Sequence, residues 1–333
     1  MPFRDIAGHR HMLQLIAAAA VRGTLPPSLI FAGPDGVGKR LAAIALAQLV
    51  NCLAPDLSLP DSCGVCASCK RIARGVHADV LTIVPGDTGS IKVDQVRGAI
   101  ERSAYRPFEG RRRVVIIDNA DEILVEAQNA LLKTLEEPPP ASIFVLVTSR
   151  PDVLLPTVRS RCQRLRFGRL VPGDVAKILI EAHGYDPTGA HAAAALSDGS
   201  VGRALEGASE SFAEARDAAA RLLDEAASSD DPRRRLEGAK ALIGGGRASI
   251  ERDELARRLR AVSSILRDVG LLISRGDERT LANADLRPLL DRLQESFDND
   301  RALRAFAAVD RALVALDGNA SPKIVADWIS FQI

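Results

Sequence analysis

The chain has 333 residues, of which 47% are hydrophobic and 26% are charged, and its formal net charge is +1. This length exceeds that of one compact domain, so two or three domains are expected. The near-neutral charge excludes a global attraction to nucleic acid or membranes, so any such contact must be local. An aromatic content of 4% argues against a base-stacking platform for single-stranded nucleic acid.

The apolar segments are too short to cross a membrane, since none approaches the ~20 residues that a spanning helix needs. The N-terminal segment carries Asp5 and has no apolar core, which is unlike a secretion signal. We therefore expect a cytoplasmic protein that does not bind membranes. In that reducing compartment its five cysteines are expected to be thiols or metal ligands.

The first half of the chain alternates short apolar runs with helical patterns. Five runs rich in β-branched residues predict buried strands at residues 28–33, 79–85, 112–120, 142–149 and 163–167. Helices are predicted at 40–51, at 94–104 with Asp94 as cap, and before Pro138–Pro140, where Leu124, Ala127, Leu131 and Leu135 share one face. This alternation predicts an α/β fold with a parallel sheet covered on both faces.

The pattern changes after about residue 168, where no further strand is predicted. Residues 169–207 predict a small helical unit, and residues 208–333 predict a separate bundle of about five helices. Ser321 is the predicted cap of the last helix, with Pro322 in its first position. The predicted domains are therefore 1–168, 169–207 and 208–333.

A phosphate-binding loop is predicted between the first strand and the following helix. The pattern of Gly, four free positions, Gly and Lys is met, and the residues expected at the phosphates are Gly33, Gly36, Gly38 and Lys39. The alternative is a glycine turn without a ligand. Arg40 stands where the motif has Ser or Thr, and a guanidinium cannot coordinate the magnesium ion that accompanies ATP.

A second departure follows the third predicted strand. Asp118 ends this strand, as a magnesium-side carboxylate does; the alternative is an Asp that caps the next turn, which is common. Asn119 comes next and cannot accept a proton from water, and Glu122 is not expected to reach. With Arg40, this predicts that ATP is held but poorly hydrolysed.

Four of the five cysteines, at Cys52, Cys63, Cys66 and Cys69, have the spacing C-x10-C-x2-C-x2-C. Thiolates at such spacing can close a tetrahedron around a structural zinc ion. Unliganded thiols are the alternative. A DNA-reading zinc finger is a further one, although no basic recognition helix follows. Cys162 is expected to be a small buried residue.

Several arginines are ambiguous from the sequence alone. Arg161 precedes the fifth strand and Arg203 opens a helix after a glycine turn, and each can be an ordinary surface residue. Arg111–Arg113 is predicted to be a solvent-exposed edge. His9, His77 and His183 are scattered without ligand spacing.

Taken in order, these segments resemble the clamp-loader branch of the AAA+ ATPases. The resemblance covers residues 3 to about 207 and rests mainly on "NALLKTLEEPP", the cysteine insert, "VVIIDNAD" and "RSRC". It is nearest to the delta-prime type of bacterial DNA polymerase III subunit, with the gamma/tau type as a near relative. Beyond residue 207 only the helical character matches.

The resemblance implies an AAA+ P-loop domain with a zinc insert at about 50–75, a helical lid and a helical collar. It implies a heteropentamer with gamma/tau and delta subunits that loads a sliding clamp onto primed-template DNA. In this family the Ser-Arg-Cys motif, here Ser160–Cys162, supplies an arginine finger in trans, which would be Arg161. Ser149 and Arg203 would be the first and second sensors, and residues 6–9 would line an adenine pocket.

Two departures separate the chain from the family's motors. Gamma/tau subunits carry Thr after the loop lysine and Glu after the strand-end Asp, where this chain has Arg40 and Asn119. The resemblance therefore implies a delta-prime-type subunit, not itself a polymerase, that holds ATP without efficient hydrolysis. An ATP-hydrolysing gamma/tau-type motor remains the first alternative, and a zinc-finger DNA-binding module the second.

Overall fold

The computed structural model describes residues 1–55, 60–86, 88–206, 210–228, 248–276, 281–318 and 320–333, and the single residues 231, 233, 242 and 278. The chain divides into two compact units. The first comprises Met1–Ile178 with Gly199–Gly202, and the second comprises Leu179–Asp198 with Arg203–Ile333. The predicted boundaries at residues 168 and 207 remain predictions.

A five-stranded parallel sheet forms the centre of the first unit. Its strands are β1 (Ser28–Ala32), β2 (Val80–Ile83), β3 (Arg113–Ile117), β4 (Ser142–Thr148) and β5 (Gln163–Arg166). The spatial order is β2-β3-β4-β1-β5, and every neighbouring pair is parallel. The carboxyl ends of β1, β3 and β4 therefore meet at one edge, where ligands bind in folds of this kind.

Nine helices are described up to residue 206: α1 (Arg10–Arg22), α2 (Lys39–Asn51), α3 (Ala67–Ala73), α4 (Val93–Ala104), α5 (Val125–Glu136), α6 (Pro156–Arg159), α7 (Pro172–His183), α8 (Pro187–Leu196) and α9 (Val201–Glu206). Five more are described after it: α10 (Glu210–Ser228), α11 (Ala248–Ile273), α12 (Arg287–Ser296), α13 (Asn299–Asp317) and α14 (Pro322–Gln332).

Both faces of the sheet are covered by apolar cores, as predicted. Successive strand residues point to opposite faces, so Phe31 and Ile116 contribute to a core shared with α1 and α2. Ile30 and Ile117 contribute to the opposite core, shared with α4 and α5. The strands β1, β3 and β4 are buried along their whole length. This packing fixes the loops at the carboxyl edge of the sheet.

The helices α10 to α14 of the second unit pack around one further core. Leu223, Leu259, Ile265, Leu290 and Val309 are buried in it. Five helices in this region agree with the predicted bundle, and Ser321 is the N-cap of α14, with Pro322 in the first turn. In the described part of the chain, no helix is long and apolar enough to cross a membrane.

Three local predictions were wrong. The strands β2 and β5 are not buried as predicted, because they are the two edges of the sheet: β2 is buried only at Ile83, and β5 is largely exposed. The helix α4 begins after Lys92, whose backbone N–H binds the Gln95 side chain, so Asp94 lies inside the first turn. Leu124 is 43% exposed because it precedes α5, whereas Ala127, Leu131 and Leu135 are buried as predicted.

Candidate functional site

The predicted phosphate-binding loop joins β1 to α2 at the carboxyl edge of the sheet. Gly36 and Gly38 have φ values of 73° and 96°, a left-handed conformation that side chains with a Cβ avoid. Gly33 is required for a different reason, since a Cβ there would lie 2.1 Å from the carbonyl oxygen of Phe167. The loop therefore has the close backbone turns that a phosphate cradle needs.

Lys39 opens α2 and is only 6% exposed. Its ammonium group donates to the carbonyl oxygens of Gly33 and Pro34 and to the Asp35 carboxylate, the last two over 2.7 and 3.3 Å. Burial lowers the pKa of Lys39, and the Asp35 charge opposes that shift. The cation is thus held inside the loop by the loop's own oxygens, which a phosphate group would have to replace.

Arg40 and Asp118 form an ion pair beside the loop, with Nη1 of Arg40 3.3 Å from Oδ2 of Asp118. Asp118 follows β3 and is 8% exposed, whereas the Arg40 side chain is 57% exposed. A magnesium site of this type needs a hydroxyl at position 40 and a carboxylate that faces the ion. Here the hydroxyl is missing and the carboxylate faces a guanidinium. These residues do not fit magnesium.

Asn119 and Glu122 lie in the turn that follows Asp118. Asn119 is exposed and has a φ of 50°, so it leaves the strand direction at once. The Glu122 carboxylate accepts a hydrogen bond from Arg150 over 2.8 Å, and the expectation that Glu122 does not activate water remains a prediction. Ala120 and Asp121 are the two residues between Asn119 and Glu122.

Ser149, the predicted first sensor, is tied to Asp121. The Asp121 carboxylate accepts hydrogen bonds from the hydroxyl of Thr148 at 2.8 Å and from the backbone N–H and hydroxyl of Ser149 at 3.2 and 3.3 Å. Sequence reasoning missed Asp121. Its position three residues after a strand-end Asp was the available signal, because a turn there points back towards the neighbouring strand end.

The N-terminal residues lie against the same loop. Nε2 of His9 is 3.3 Å from the carbonyl oxygen of Val37, and the His9 ring makes an edge contact with Phe167. Burial lowers the pKa of His9. The described contacts place His9 beside the loop, and the role of residues 6–9 as an adenine pocket remains a prediction.

Arg161 lies just after α6, on the surface of the first unit. Its Nε donates to Oε1 of Glu136 over 2.8 Å, and its Nη1 donates to the carbonyl oxygen of Thr157 over 2.9 Å. The side chain is 33% exposed. Cys162 is buried as predicted, and burial raises its pKa to about 12. Arg161 is therefore presented at a surface but paired within its own chain.

Arg203 lies in α9 and belongs to the second compact unit. It forms an ion pair with Asp198 at 3.5 Å. Its predicted role as the second sensor of the nucleotide remains a prediction.

The four clustered cysteines converge as predicted. The Sγ atoms of Cys52, Cys63, Cys66 and Cys69 all lie within 4.8 Å of one another. Backbone N–H groups of Cys63, Cys66 and Cys69 donate to the sulfurs of Cys52, Cys63 and Cys66 over 3.3, 3.3 and 3.5 Å.

This donor set fits zinc, which binds four thiolates tetrahedrally in structural sites. Burial raises the pKa of Cys66, but hydrogen bonds from the backbone of Cys69 and Leu53 and from neighbouring thiols outweigh it and lower the pKa to about 6. A thiolate is the form that binds metal. Four sulfurs would fill the coordination of zinc, so the role of the ion would be structural.

The cysteine insert is attached to the sheet by polar contacts that sequence reasoning missed. The side-chain oxygen of Asn51 accepts from the backbone N–H groups of Arg111 and Arg112 over 2.8 and 2.9 Å, and the Arg111 side chain donates to the carbonyl oxygen of Cys52. The predicted exposed edge at Arg111–Arg113 was wrong in part. Arg113 is buried because it binds Asp79, with Nη2 2.8 Å from Oδ1.

Asp79 organises the adjoining loop. Its carboxylate accepts hydrogen bonds from the backbone N–H groups of Phe108, Glu109 and Gly110 over 2.7, 2.8 and 2.7 Å. Burial alone would raise the pKa of Asp79. The hydrogen bonds from these N–H groups and from Arg113 outweigh that effect and lower the pKa to about 2. The ionised carboxylate therefore stabilises the fold around the insert.

Comparison with known proteins finds a family similarity that is confined to about the first half of the chain. Residues 8–170 match the family model described as DNA polymerase III, delta subunit. This part of the chain, just under half of its length, is similar to that family. The DNA polymerase III delta-subunit match includes the phosphate loop, the cysteine cluster, Asp118 and Arg161.

Individual relatives carry two different subunit names. DNA polymerase III subunit tau of Bacillus subtilis is 36% identical over 50% of this chain and 29% of its own length. DNA polymerase III subunit delta' of the same organism is 36% identical over 51% of this chain and 50% of its own length. The chain thus spans half or less of these DNA polymerase III relatives.

A solved structure of a DNA polymerase III gamma-subunit-related protein from Thermotoga maritima aligns with 96% of this chain and 97% of its own, at 20% identity and a TM-score of 0.43.

Proposed function

We propose that the chain is a clamp-loader subunit of DNA polymerase III, of the delta-prime type, working in the cytoplasm. In this role it associates with gamma/tau and delta subunits and helps to load the sliding clamp onto primed DNA. The family match over residues 8–170 supports the clamp-loader assignment. The relatives named tau and delta' are both 36% identical to this chain, so sequence identity does not distinguish between the two subunit types.

The Arg40–Asp118 ion pair is the observation that carries the delta-prime choice. A motor subunit needs a hydroxyl and a carboxylate around magnesium, and a base beside them to activate water. The chain has the Arg40 guanidinium in place of the hydroxyl and an exposed Asn119 in place of the base. In this proposal nucleotide is held at Lys39, with Ser149 near its outer phosphate, and is not efficiently hydrolysed.

In the proposed mechanism the chain completes a neighbouring subunit's ATPase site. Arg161 lies on the surface, where its guanidinium can reach a γ-phosphate bound by an adjacent subunit, and such a finger accelerates hydrolysis there by roughly 10³–10⁵. The zinc module has no part in this chemistry. It would hold the end of α2 against the loop that follows α4, through Asn51 and Arg111.

The experiment is an ATPase assay of the purified chain alone and of the chain reconstituted with gamma/tau and delta subunits, with primed DNA and clamp. We expect negligible turnover by the chain alone, and clamp-loading activity that requires its presence in the assembly. Robust turnover by the chain alone would support the alternative, a gamma/tau-type motor. Failure to join the assembly would contradict the clamp-loader assignment itself.

A further inference from the structure

Arg40 follows the loop lysine, at the sequence position from which ATP-hydrolysing relatives of this fold supply the hydroxyl that binds magnesium. It contacts Oδ2 of Asp118 at 3.3 Å, and that carboxylate is the one expected to face the metal. A guanidinium carries five N–H donors, and the Arg40 side chain is 57% exposed. It can therefore keep its contact with Asp118 while other N–H groups bind phosphate oxygens.

The charges around the loop are balanced without a metal ion. Lys39 pairs with Asp35, and Asp121 lies 3.5 Å from the guanidinium of Arg150. Asp118 would repel a triphosphate if it stood alone, and the positive charge of Arg40 removes that repulsion. In a motor subunit the same neutralisation requires a divalent cation that arrives with the nucleotide.

We propose that Arg40 replaces magnesium, so that the phosphate loop binds a nucleoside polyphosphate as the metal-free anion. The inference rests on the proposed nucleotide site at Lys39, but not on the choice of subunit type. A divalent cation beside Asp118 would have to displace the guanidinium and would then be repelled by it. Bound nucleotide would therefore lack the ion that hydrolysis requires, which gives a physical reason for a site that holds ATP intact.

The test is calorimetric titration of the full chain with ATP and with ADP, in excess EDTA and in excess magnesium. For the wild type we expect affinity in EDTA to equal or exceed that in magnesium. Arg40→Thr should lose about tenfold or more in EDTA, since Asp118 then faces the phosphates unpaired, and should recover with magnesium. Asp118→Asn should bind at least as tightly as the wild type in EDTA, without a response to magnesium.

Arg22→Thr is the matched control, since it makes the same chemical change at the exposed C-terminal end of α1. It should bind ATP like the wild type in both media. A second readout uses Mn²⁺ as a paramagnetic probe in place of magnesium. Electron paramagnetic resonance should show a ternary complex of protein, nucleotide and Mn²⁺ with Arg40→Thr and none with the wild type.

Two results would overturn the inference. Wild-type binding that is tenfold tighter with magnesium would show that Arg40 does not replace the ion, while the proposed subunit role would stand. Absence of nucleotide binding in both media would remove the site at Lys39. The clamp-loader assignment would still be decided separately, by assembly with the partner subunits.

Discussion

Arg161 and Glu136 form an ion pair that joins the turn after α6 to the end of α5, with Nε of Arg161 2.8 Å from Oε1 of Glu136. Glu136 is about half exposed and Arg161 one-third exposed. An exposed pair of this kind contributes only about 0–1 kcal/mol. A γ-phosphate from a neighbouring subunit can therefore replace Glu136 at little cost, which is what the proposed finger requires.

Arg161→Ala should slow ATP hydrolysis at one neighbouring site of the reconstituted assembly by roughly 10³-fold or more, because the developing charge loses its cationic partner. Single-turnover kinetics resolve this site from the others. Arg159→Ala is the matched control, since Arg159 ends α6 and pairs with exposed Asp152 at 2.6 Å. Equal hydrolysis by the two variants would contradict the finger role.

Glu136→Gln should leave the hydrolysis rate of the assembly unchanged or raise it, since it releases Arg161 from its resting partner. The free energy of unfolding should change by less than about 1 kcal/mol. The same single-turnover assay measures the rate, and urea unfolding measures the stability. A loss as large as that of Arg161→Ala would instead mean that Glu136 orients the guanidinium.

The purified chain should contain one tightly bound zinc ion, because four cysteine sulfurs within 4.8 Å of one another match its preferred ligands. Cys66→Ser should lose the metal and lower the melting temperature. Cys162→Ser, which changes the buried cysteine outside the cluster, should keep it. Elemental analysis after gel filtration measures both, and a metal-free wild type would contradict the zinc site.

Restoring the motor residues should restore some turnover. Arg40→Thr alone should gain little, since Asn119 cannot act as a base, whereas Arg40→Thr with Asn119→Glu should hydrolyse ATP measurably with magnesium. The second change places Glu at a φ of 50°, which costs about 1–2 kcal/mol of stability. A steady-state phosphate-release assay compares the variants. An inactive double variant that still binds ATP would show that these two positions do not limit hydrolysis.

The Asp79–Arg113 pair should make stability sensitive to acid. The pKa of Asp79 is about 2, against an ordinary value of 3.8, so its contribution to stability is complete above about pH 4 and is lost as the pH falls towards 2. This shift corresponds to about 2 kcal/mol. Denaturant unfolding at a series of pH values measures the loss.

Asp79→Asn should cost about 3–5 kcal/mol at neutral pH, because it leaves the buried Arg113 guanidinium without an anion. Asp152→Asn is the control at an exposed pair, and should change stability by less than about 1 kcal/mol. Equal effects of the two substitutions would contradict the structural role of Asp79.

Much of the first unit could be predicted because its signals are local. Five apolar runs are long enough to specify strands, and their alternation with helices specifies a parallel sheet. The glycines of the phosphate loop and the close spacing of the cysteines are likewise local patterns. The errors occurred where burial depends on neighbours. The strand β5 has the same apolar pattern as the other strands but lies at the sheet edge. Arg113 was predicted to be exposed because the sequence does not show that Asp79 lies beside it.

The sequence by itself determined which groups are present: a loop that can hold phosphate, four thiols in one insert, and Arg40 and Asn119 where motors have a hydroxyl and a carboxylate. Only the tertiary structure decided how those groups are paired. Arg40 lies far from Asp118 along the chain, and Arg161 from Glu136, so their contacts depend on parallel strands and helices that bring distant segments together. Spacing along the chain carries no such information, because a side chain's charge partner is set by packing in three dimensions.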